Sequence, residues 1–125
     1  MMLEEDYVMR IIHEMVRTLL KLLFNMDEKR EDIRIADMET DRQYRLLCRL
    51  VDSGRMNDAE NRLFDEIDPS DINDLQMGLL FFDYLNELSD EVLEEAQYTR
   101  EEIRLGIEAL LKEYGYDGLG GMVSM

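Results

Sequence analysis

The sequence predicts an all-α fold, a compact bundle of about five helices with antiparallel hairpins. Three observations predict it. Apolar residues recur at helical spacing along most of the 125-residue chain. The single proline and seven glycines, four of them between residues 115 and 121, leave the interior almost free of helix breakers. Leu, Met, Glu and Arg are abundant, and each favours helix. With 46% hydrophobic and 35% charged residues, residues 1–125 suit one globular domain, large enough to bury a core without disulfides or a structural metal.

The first helix is expected over residues 4–25. Val8, Ile11, Ile12, Met15, Val16, Leu19, Leu22 and Leu23 share one face, widened by Met9 and Leu20. Arg10, Glu14, Arg17 and Lys21 take the opposite side, and acid at Glu4, Glu5 and Asp6 suits the positive end of the helix dipole. Residues 26–40 fit neither period, since only Ile33, Ile35 and Met38 interrupt their charge. A charged helical turn near residues 27–35 and a mobile loop both remain open there.

Thr40 or Asp41 is expected to cap the second helix, whose stripe is Tyr44, Leu47, Cys48 and Val51. Gly54 stops it. Asn57 is expected to cap the third helix, with Glu60 completing a variant capping box. Ala59, Leu63, Phe64 and Ile67 point inward until Pro69, and the short loop makes an antiparallel hairpin. The fourth helix, from Ser70 or Asp71 to Leu88, is apolar in nearly every direction and leaves only a narrow polar strip of Gln76, Asp83 and Glu87. Such a helix belongs at the centre of a fold, or presents part of itself, "LLFF" above all, to a second subunit.

Ser89 is expected to cap a short helix to about Gln97, packed through Val92, Leu93 and Ala96. Thr99 and Glu102 make a capping box for a last helix over residues 100–114, ended by Gly115. The tail, residues 115–125, is expected to be flexible.

Thirty acidic residues against fourteen basic ones give a net charge of −16. That field repels phosphate backbones and anionic membrane surfaces, so neither nucleic acid nor membrane is expected as a partner. A basic protein would be attracted. The lone Cys48 allows no intramolecular disulfide and no thiolate cluster, and its apolar neighbours predict a buried thiol. The start "MMLEEDYVMR" carries acid where a secretory leader carries base, and no apolar run approaches a bilayer span. A cytoplasmic protein is expected.

No catalytic, cofactor-binding or metal-binding residue can be assigned by motif. His13, the only histidine, lacks the second histidine of a zinc-protease pattern and reads as an ordinary residue at the edge of the first helix's apolar face. The Glu-x-x-His pairs of di-metal bundles are missing. Asp65, Glu66, Asp68 and Asp71 lack the spacing of a calcium loop and read as a solvated edge. "DGLGGM" has neither the lysine nor the preceding strand of a phosphate loop.

Gly54, Ala59 and Leu63 in "LLCRLVDSGRMNDAENRLFDEIDP" resemble the turn and second helix of a tetratricopeptide repeat, with no second copy along the chain. The stretches "DYVMRIIHEMVRTLLKLL", "LVDSGRMNDAENRLFDEID" and "SDEVLEEAQYTREEIRLGIEALL" together resemble a small uncharacterised bacterial helical family, a domain of unknown function. The repeat-like hairpin implies partner-protein binding by fold analogy alone. The expectation is a non-enzymatic helical domain for protein–protein interaction or self-association. The alternative is a domain that binds a small ligand or metal, or an enzyme, using carboxylates in an inter-helix cleft.

Overall fold

A computed structural model describes residues 2–118. Among these residues six α-helices follow one another: α1 (Met2–Phe24), α2 (Met38–Asp52), α3 (Met56–Glu66), α4 (Ile72–Asn86), α5 (Asp90–Glu95) and α6 (Arg100–Glu113). A 3-10 turn (Arg30–Asp32) stands between α1 and α2, and no strand occurs among the described residues. The all-α expectation holds, with one helix more than the approximate count.

The chain reverses at helix ends that share one device. Gly54 and Gly115 take left-handed backbone (φ 84° and 79°), and the next amides return to Leu50 O (2.9 Å) and Leu111 O (2.8 Å). Asn25 (φ 56°) and Gln97 (φ 55°) do the same for α1 and α5 without a glycine. Tyr116 is thereby tied back onto the core, so the tail is anchored at its start. The rest of the tail expected to be flexible, residues 119–125, lies outside the described residues.

Packing centres on α4, which touches α1, α2 and α6. Eleven of its residues are buried, including Phe81, Phe82 and Leu85 at 0% exposure, so "LLFF" is interior and leaves no face for a second subunit. Phe82 meets Phe81 edge-on at 5.2 Å and Phe64 of α3 at 6.3 Å. α4 and α6 approach through reciprocal glycines: Gly106 faces the Phe82 ring, and Gly78 faces the methyls of Leu110. Ala59 and Leu63, the inward residues of the α2–α3 pair, are buried as the hairpin pattern predicts.

Several details correct the sequence reading. Asp37 caps α2, not Thr40 or Asp41; Thr40 N and Oγ1 instead donate to Asp37 Oδ2 at 2.9 and 2.8 Å. Asn57 does not cap α3, because the helix begins one residue earlier, at Met56, behind Arg55, which makes no side-chain cap. Glu60 is thereby free of the expected box and accepts from Tyr98 Oη at 2.6 Å. Leu22 is 60% exposed and Val92 40%, although helical spacing puts both on apolar faces. The helix ends vary by one or two residues, as fraying termini do. The Ser89 cap and the Thr99–Glu102 capping box form as expected.

Residues 26–37 resolve into the 3-10 turn flanked by extended backbone. Met26 Sδ accepts from Gln76 Nε2 of α4 at 2.9 Å, and Ile33 and Ile35 pack on the core. This segment closes one side of a cleft.

Candidate functional site

Buried polar side chains locate the part of the molecule that packing alone does not explain. Among the described residues five are buried: Thr40, Gln76, Asp83, Asn86 and Arg100. Thr40 and Gln76 are satisfied by the contacts above. Asn86 donates to Met9 O at 2.8 Å, tying the end of α4 to α1. Arg100 donates to Asn86 O (2.6 Å), Leu88 O (2.8 Å) and Asp90 Oδ1 (2.9 Å), joining α4, α5 and α6. These four have structural work. Asp83 has more.

Asp83 was assigned to the polar strip of α4, yet its side chain is only 3% exposed. The strip is real in composition but roofed by α1 and the 26–33 segment, which explains the correction. Asp83 Oδ1 lies 3.2 Å from Nδ1 of His13, seventy residues away in sequence. Arg30 Nε lies 3.2 Å from Asp83 Oδ2 as an ion pair without hydrogen-bond alignment. The same guanidinium pairs with Glu87, one turn further along α4, and lies 5.1 Å from the centre of the Tyr84 ring. Burial pushes the Asp83 carboxyl above its usual range; the His13 hydrogen bond and charge pull the other way.

These groups face a cleft of about 370 Å³. His13, Val16, Arg17 and Leu20 bring one face of α1, at i, i+3, i+4 and i+7, to its wall. Asp27, Glu28, Lys29 and Arg30 line a second side, with Asp83 of α4 and Glu87, its C-cap, on the third. Rigid helices therefore carry His13 and Asp83, while the opposite wall is irregular backbone. His13, read from the sequence as an ordinary boundary residue, is half-buried and oriented by a buried carboxylate. Among the described residues, His13, Asp83 and Glu87 form a set of ligand-type side chains, each offering an atom within 4.8 Å of the others.

Cys48 is half-buried rather than fully buried, and burial raises its thiol pKa, which disfavours the reactive thiolate. Asp65, Glu66 and Asp68 are exposed, and Asp71 caps α4 through Asn73 N at 2.9 Å. No described helix is long and apolar enough to cross a membrane.

The model of a protein family described as a family of unknown function (DUF6483) matches residues 2–115. No curated protein and no solved structure matches the chain.

Proposed function

The chain belongs to this family of unknown function, and we propose that it is a helical small-ligand-binding domain whose site is the cleft between α1, α4 and residues 27–30. The observation that carries the reading is the buried Asp83, held between His13 and Arg30 at the wall of the cleft. A buried ion pair is a poor device for stability, because apolar residues of similar volume generally serve as well. A carboxylate buried in the most apolar helix calls for another use, and a cleft with convergent polar groups supplies one. The acidic chain and its unpaired cysteine suit a cytoplasmic setting.

Thermal denaturation in the presence of divalent chlorides, phosphate and citrate tests this reading. A ligand of the cleft raises the melting temperature with concentration, and the rise disappears in His13→Ala. No rise with any of them, or an equal rise in the variant, contradicts the reading.

A second reading is docking of a protein partner: the net charge of −16 favours a basic one, and Leu105, 49% exposed on α6, offers apolar contact to it or to a second copy of the chain. A tetratricopeptide-like role for the α2–α3 hairpin belongs to this reading. A strict monomer in solution, with unchanged partner retention on charge reversal at Arg55, Asp58 or Arg62, counts against it.

A further inference from the structure

The two acceptor oxygens of Asp83 are used differently. Oδ2 faces Arg30, while Oδ1 faces the His13 ring nitrogen. Arg30 also pairs with Glu87 through Oε1, so a single cation holds both carboxylates from one side. Bonds of about 2.1 Å meeting at about 90–110° place two donors of one ion about 3.0–3.4 Å apart. The 3.2 Å between His13 Nδ1 and Asp83 Oδ1 falls inside that window. Glu87, the C-cap of α4, follows Asp83 by four residues on the same face, and its side chain is 40% exposed, with room to move once it leaves Arg30.

We propose that His13, Asp83 and Glu87 bind a divalent first-row transition ion, zinc or manganese, with water completing its coordination. This rests on the reading of the cleft as a ligand site. One imidazole and two carboxylates suit such ions better than the soft cuprous ion, which favours sulfur. The two carboxylates balance the ion's charge, and the walls of the cleft leave room for its waters. His13 and Asp83 are fixed on packed helices, as a preorganised pair of ligands requires. Arg30 competes with the ion for both carboxylates, so its charge opposes binding.

Calorimetric titration of the full chain with zinc chloride and with manganese chloride tests the proposal. One ion binds per chain to the wild type. His13→Ala and Glu87→Gln each weaken that binding by about tenfold or more, and Arg30→Gln tightens it. Circular dichroism checks that each variant is folded, and Glu87 is exposed enough for its amide to be tolerated. Absence of one-to-one binding, equal affinity in the wild type, His13→Ala and Glu87→Gln, or weaker binding in Arg30→Gln overturns the proposal. Equal affinities would place the ions on surface carboxylates, which a chain of net charge −16 has in plenty. If phosphate or citrate stabilises the wild type through His13 while neither metal binds there, the metal proposal fails and the cleft reading survives. If neither class acts through His13, both fail.

Discussion

Gly106 of α6 lies against the Phe82 ring of α4 so closely that a β-carbon at Gly106 would stand 2.5 and 2.6 Å from two ring atoms. Gly78 of α4 has the reverse relation to Leu110, at 2.6 Å from one methyl. Both glycines are helical, so alanine would gain about 1 kcal/mol of intrinsic propensity at either position. The steric outcomes differ. A leucine methyl can turn away, whereas the buried Phe82 ring is wedged between Phe81 and Phe64. Gly106→Ala is therefore expected to destabilise by about 1–3 kcal/mol, and Gly78→Ala by less. Denaturant unfolding of the two variants checks the order.

Arg100 fastens the end of α4 to the start of α5 through two backbone carbonyls and Asp90. A lysine keeps the charge but not the planar fork that reaches these acceptors together. Arg100→Lys is expected to cost about 2–3 kcal/mol, because buried partners are left unsatisfied. The melting temperature measures it, and an unchanged value would remove this fastening role.

Capping offers a paired comparison. Thr99 accepts from Glu102 N at 3.1 Å, and Glu102 Oε2 accepts from Thr99 N at 2.7 Å, whereas Asn57 sits inside α3. Thr99→Ala is expected to lose about 1 kcal/mol, and Asn57→Ala to lose nothing comparable. Equal losses would restore the Asn57 cap that the structure lacks.

Glu60 carries a pH dependence of definite sign. Burial raises its pKa, the Tyr98 hydrogen bond lowers it, and Glu102 raises it further, for a net upward shift. A carboxyl raised in the folded state binds its proton more tightly there than in the unfolded chain. Its stabilising contribution is full below the unfolded pKa of about 4.3 and is lost as pH rises through the higher folded value. Glu60→Gln keeps an acceptor for Tyr98 without the charge. The variant is expected to be more stable than the wild type at neutral pH, with the gap closing as the solution is acidified. Melting curves from pH 4 to 7 test this, and a constant gap would contradict it.

How much of this was legible beforehand depends on the range of each interaction. The stripe of α1, the glycine at position 54 and the Thr99–Glu102 box are local patterns, and the chain adopts them almost as written. Asp37 was missed because Thr40 and Asp41, a few residues further on, are cap-type residues too, and sequence alone does not rank them. Residues 26–37 were unreadable because they are ordered by contacts with α4, such as Met26 with Gln76, and not by their own periodicity. The cleft was invisible for the same reason. His13 and Asp83 meet only when α1 packs on α4, across seventy residues of sequence. One signal did exist: a carboxylate directly after the apolar run "MGLLFF" has to be neutralised or used.

The single histidine makes the decisive measurement simple, since its imidazole signals in a nuclear magnetic resonance spectrum need no further assignment. Adding whichever ion or small molecule stabilises the protein is expected to shift those signals, or with paramagnetic manganese to broaden them, until the effect saturates at the concentration where stabilisation does. Imidazole signals that stay in place while the protein is stabilised would show that the ligand binds elsewhere, and the cleft would lose its role.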